Sequence, residues 1–124
     1  MRKPPYYYKA QKIDGKTKLE REYEAYLGLR LKAGEIESFA FEPLTFRLAK
    51  NTIYKPDFMV TFPDYVAFYE TKPGVKDKKT GVIKAWSMDD GYKTKIKVAA
   101  ELYPQFAWRI TWPDKGKGWG ELEL

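Results

Sequence analysis

The 124-residue chain has the length of one domain, and a 44% hydrophobic fraction, rich in Tyr, Phe and Trp, is enough to fill a single core. With neither His nor Cys, it excludes disulfides, ordinary structural zinc sites and nucleophilic catalysis of the Ser-His-Asp or Cys-His kind, so hydrolytic chemistry would need carboxylates, lysine, tyrosine and a hard metal ion. A net charge of +6 and a pI near 9.3 suit a polyanionic partner such as nucleic acid, and no apolar run has the length of a membrane helix or the placement of a secretory signal.

Residues 1–16 are basic, contain Pro4, Pro5 and Tyr6 to Tyr8, and are expected to form an arm. Thr17 is a good N-cap with Glu20 three residues on, the spacing of a capping box, so a helix should start there. Leu19, Tyr23, Leu27 and Leu31 recur every four residues and give it a core face, and Gly34 is a suitable stop. Alternation over Ile36 to Phe41 predicts a strand broken by Pro43, and Thr45 to Leu48 a further short one. Asp57 to Phe62 and Tyr65 to Thr71 read as two strands joined at the Pro63-Asp64 turn. Lys72 to Lys84 is lysine-rich with Pro73, Gly74 and Gly81, and is expected to be a loop. Ser87 should cap a second helix running to about Tyr103, with Tyr92, Ile96, Ala99, Ala100 and Tyr103 as its apolar face and Pro104 as its end. A last strand over Ala107 to Trp112 and a Gly- and Lys-containing tail from Pro113 to Leu124 complete the chain. This order predicts one α/β (α+β) domain around a single sheet, with no internal repeat or linker.

If Pro63-Asp64 is a two-residue turn, Phe62 pairs with Tyr65, and counting outward sets Asp57 opposite Glu70. Opposed side chains on one face lie about 5 Å apart at Cβ. Lys72, two residues past Glu70, projects from the same side. Hard divalent cations prefer such oxygen ligands, so Asp57, Glu70 and the Thr71 backbone carbonyl could hold Mg²⁺ while Lys72 orients or deprotonates a water or neutralises a phosphate. A surface ion-pair cluster at a strand edge would place the same residues together.

Pro56-Asp57, twelve residues, then Glu70-Thr71-Lys72 resembles the signature of the PD-(D/E)XK nuclease superfamily. That superfamily includes Holliday-junction resolvases, and the wider pattern is similar to a group of short phage and prophage proteins within it. Its pieces here are Thr17-Lys18-Leu19-Glu20, Tyr54-Lys55-Pro56-Asp57, Glu70-Thr71-Lys72, and Lys97 to Tyr103-Pro104, over roughly residues 10 to 112. The resemblance implies a restriction-endonuclease-like domain with a mixed sheet flanked by helices, a Mg²⁺- or Mn²⁺-dependent phosphodiesterase site, DNA as partner, and action in the host cytoplasm. It implies that Glu20 completes the metal site, against its simpler role as a helix cap, with Glu24 one turn on able to replace it. Of the second-helix lysines it favours Lys97, then Lys93, as phosphate contacts, and Lys76 belongs to a loop that could close over a duplex. Pro73 departs from the pattern and is expected to bend the strand just after Lys72. Junction resolution would require two sites and so a symmetric homodimer. A non-catalytic nucleic-acid-binding module on the same fold is the alternative, although carboxylates placed where phosphates approach would repel them.

Overall fold

The computed structural model describes residues 15–76, 83–84, 91–114 and 118–124; the rest of the basic arm with Tyr6 to Tyr8, the Ser87 cap and Trp86 lie outside the described residues. The elements are α1 (Lys18–Lys32), β1 (Ser38–Phe41), β2 (Phe46–Ala49), β3 (Thr52–Tyr54), β4 (Phe58–Thr61), β5 (Val66–Thr71), β6 (Val75–Lys76), β7 (Ile83–Lys84), α2 (Gly91–Leu102), β8 (Ala107–Pro113) and β9 (Trp119–Glu123). Helices and strands thus build one mixed α+β domain, as the sequence pattern implied. Among the described residues no helix is long and apolar enough to cross a membrane.

Both ends of α1 follow from local chemistry. The Thr17 hydroxyl accepts the Glu20 N–H at 3.1 Å while Glu20 Oε1 accepts the Thr17 N–H at 2.7 Å, closing the capping box. At the other end Gly34 takes φ +78°, its N–H bonding Leu31 O and the Glu35 N–H bonding Arg30 O. This is a Schellman stop, for which glycine is the low-strain residue. Tyr23 and Leu27 are fully buried, but Leu31 at the last turn is 42% exposed, so the core face of α1 ends a turn before the helix does.

The main sheet has the order β1-β4-β5-β8-β9. β5 and β8 are parallel and the other pairs antiparallel. β5 is central, and all but its first residue are buried. Its alternation feeds two cores: Ala67 and Tyr69 join Tyr23, Leu27, Phe58 and Val60 under α1. Phe68 joins Trp108, Ile110, Ile96 and Ala99 under α2. The Phe62 N–H bonds Tyr65 O at 2.8 Å, so the β4–β5 turn has the expected two residues.

Three segments differ from expectation. β3 pairs with β2 as a separate hairpin that closes the α2 core with Phe46 and Tyr54. The segment expected to be a loop carries the β6–β7 ladder. The C-terminal segment expected to be a tail supplies β9, the edge strand beside β8. It is held there because Trp119 packs edge-on against Tyr23 at 4.8 Å, and the Thr111 hydroxyl donates to Gly120 O at 2.8 Å.

Candidate active site

The ends of β1 and β4, the carboxyl end of β5 and the first turn of α1 meet around one cavity of about 460 Å³. Its walls include Glu20, Glu42, Tyr54, Asp57, Glu70 and Lys72. Openings at the carboxyl ends of parallel strands are common ligand sites in α/β sheets.

The strand register brings the acidic residues here. Phe58 pairs with Tyr69, so one step further Asp57 and Glu70 adjoin. Phe41 pairs with Phe58, so the same step on the other side sets Glu42 beside Asp57, where the Glu42 N–H bonds Asp57 O at 2.7 Å. Glu42 has φ +46°, a left-handed conformation uncommon for any residue but glycine and often found at functional sites. One carboxylate oxygen from each of Glu20, Glu42 and Asp57 lies within 4.8 Å of the others.

Asp57 is buried, and its Oδ2 accepts both the Thr71 N–H and the Thr71 hydroxyl at 2.8 Å. Burial pushes its pKa well above the usual carboxylate range, the charges of Glu70 and Glu20 push it further, and the two Thr71 bonds offset part of this. Burial likewise raises Glu70 to about 7, although the Tyr54 hydroxyl, donating to Oε1 at 2.7 Å, and the Lys72 charge both oppose the rise. The Lys72 N–H still bonds Thr111 O at 2.9 Å, so the β5 ladder reaches one residue past the strand and Pro73 does not turn Lys72 away from the cavity.

Glu20 both caps α1 and sits in the acidic cluster, so its two roles coexist on one side chain. Glu24 instead pairs with Lys16 at 3.1 Å. Lys97 is exposed on α2 and is not among the cavity residues, whereas Lys95 is, with its ammonium donating to Ile53 O at 3.3 Å. The side chains of Lys76 and Lys93 lie outside what is described. Sequence reasoning missed Glu42, and it took Tyr54 only as part of the run leading to Asp57. The available signal for Glu42 was its place at the end of a strand that could pair with β4.

Comparison with known proteins identifies no relative. No protein-family model, no curated protein and no solved structure matches the chain.

The donor set fits a hard divalent cation. All the candidate ligands are oxygens, as Mg²⁺, Mn²⁺ and Ca²⁺ prefer. Neighbouring ligand oxygens around an octahedral Mg²⁺ with bonds of ~2.1 Å lie about 3 Å apart, so three oxygens now within 4.8 Å of one another would draw together by up to about 1.8 Å on holding one ion. Burial is the main cause of the raised pKa values of Asp57 and Glu70, and a dication at the cavity would favour their charged forms.

Proposed function

We propose that this protein is a divalent-metal-dependent endonuclease that hydrolyses phosphodiester bonds in DNA, built in the manner of the PD-(D/E)XK superfamily. The observation that carries this reading is the convergence of Asp57, Glu70 and Lys72 with Glu20 and Glu42 on one cavity.

Asp57, Glu20 and Glu42 would hold the metal, with Glu70 and the Thr71 carbonyl as further oxygen donors. When bound, the cation supplies Lewis-acid stabilisation of charge on the phosphate and acidifies the attacking water. Thr71 fixes the Asp57 carboxylate through two hydrogen bonds to Oδ2. Tyr54 fixes Glu70 in the same way through Oε1. Lys72 neutralises the phosphate entering the cavity and helps to orient the water whose oxygen attacks phosphorus as the opposite P–O bond breaks. Lys55 and Lys95 at the cavity wall add positive charge toward the flanking backbone.

A module that only binds nucleic acid has no use for carboxylates at the point of phosphate approach. Branched DNA, which would require a homodimer, and a cytoplasmic phage or prophage setting belong to the same proposal. Asp57→Ala and Lys72→Ala should each lose DNA cleavage while keeping the wild-type circular dichroism spectrum. Cleavage at the wild-type rate by both variants would eliminate the mechanism.

A further inference from the structure

A second pocket, of about 370 Å³, lies under α1 toward the β4–β5 turn. It is on the opposite sheet face from Glu70: Tyr69, the preceding residue, points into the α1 core and to this pocket. Two arginines reach it from different elements, Arg30 from α1 and Arg109 from β8. Aromatic rings hold both. The Arg30 guanidinium lies 5.7 Å from Tyr26 and 5.5 Å from Phe62. Arg109 lies 5.2 to 5.7 Å from Phe62, Tyr65 and Tyr69. Phe62 and Tyr65 are themselves stacked at 4.5 Å, so the platform is preformed.

The hydrogen-bond count is unbalanced toward donors. A guanidinium has five N–H groups. Arg109 uses three, to Glu123 at 3.0 Å, the Tyr69 hydroxyl at 2.8 Å and the Tyr65 hydroxyl at 3.0 Å. Among the described residues Arg30 uses one, to Glu35 at 3.0 Å. Because the two tyrosine oxygens accept from Arg109, their own protons are left to donate outward. The ring of Tyr23 lies 5.7 Å from that of Tyr69, and its buried hydroxyl has no hydrogen-bond partner among the described residues. The opposing carboxylates, Glu35 and Glu123, are 56% and 61% exposed and can turn to solvent when a stronger acceptor arrives; Glu121 at the mouth is also exposed.

We propose that this pocket binds a phosphate group, with Arg30, Arg109 and the hydroxyls of Tyr65 and Tyr69 as its donors. Several donors converging from two guanidinium forks match an anion with three or four acceptor oxygens better than a carboxylate with two. The phosphate could be free, or the terminal phosphate of a nucleotide or nucleic-acid strand. The site is separate from the acidic cavity and does not depend on its catalysing cleavage.

The test is calorimetric titration in EDTA, so that cutting plays no part in the readout. The probes are potassium phosphate, a trinucleotide with and without a 5′-phosphate, and potassium acetate. Saturable binding of phosphate but not acetate is expected, weakened roughly tenfold or more in Arg30→Gln and less in Tyr65→Phe, which keeps the ring. Tighter binding of the phosphorylated trinucleotide than of phosphate would identify a strand end as the source; equal binding would identify a free or mononucleotide phosphate. Absence of saturable phosphate binding, equal binding of acetate, or unchanged affinity in both folded variants would overturn the site.

Discussion

Glu70→Gln should make the metal-free protein more stable while removing its activity. Glu70 is 4% exposed, and its pKa of about 7 lies some 2.5 pH units above its ordinary value of 4.5. At ~1.4 kcal/mol per unit, ionising it in place of its unfolded counterpart costs about 3–4 kcal/mol. The folded protein holds this proton to higher pH than the unfolded chain does. Its stabilising effect is therefore complete below about pH 4 and is lost as pH rises through about 7. Asp57, also raised, acts in the same direction. Glutamine keeps an oxygen for the Tyr54 hydroxyl and carries no charge. Urea unfolding in EDTA should thus give the variant little advantage at pH 4 and up to ~3 kcal/mol at pH 8, roughly 10 °C in melting temperature. Adding Mg²⁺ should stabilise the wild type more than the variant. A variant no more stable at pH 8, or a gain independent of pH, would refute the assignment of a buried, strained charge to Glu70.

The remaining predictions concern how the site is supported. Thr17→Ala removes the acceptor for the Glu20 N–H and should cost about 1 kcal/mol in urea unfolding, with weaker Mn²⁺ binding because Glu20 loses its anchored helix start. Tyr23→Phe deletes a buried hydroxyl that has no partner among the described residues and should raise stability by about 1 kcal/mol in phosphate-free buffer. Gly120→Ala would put a Cβ 2.5 Å from the Trp112 ring, so a loss of roughly 1–3 kcal/mol is expected, read by urea unfolding and by the near-ultraviolet signal of Trp112.

What the sequence could reveal depended on the distance over which each contact is specified. The start of α1 is written within four residues, Thr17 to Glu20, and could be read directly. The β4–β5 register is set by a two-residue turn, so counting from Phe62 and Tyr65 sufficed to bring Asp57 beside Glu70. Glu42 reaches the site only through the β1–β4 pairing, which joins Phe41 to Phe58 across an intervening hairpin with no local turn to fix it. Its left-handed backbone is likewise set by tertiary context. β9 was hidden for a related reason: Gly118 and Gly120 flank Trp119 and suggest a tail, while the packing that holds the strand comes from Tyr23, nearly a hundred positions earlier. On α2, spacing alone could not decide between Lys95 and Lys97, because the choice depends on where β3 carries Ile53.

The most direct test of the central claim is cleavage of end-labelled four-way junction, linear duplex, single-stranded DNA and RNA by wild type and Asp57→Asn, each with Mg²⁺, Mn²⁺ or EDTA. The account predicts that the wild type cuts DNA with a divalent metal and stops in EDTA, and that Asp57→Asn, although folded, does not cut. Cutting that persists in EDTA, cutting by Asp57→Asn at the wild-type rate, or no cutting of any substrate by the wild type with either metal would contradict it.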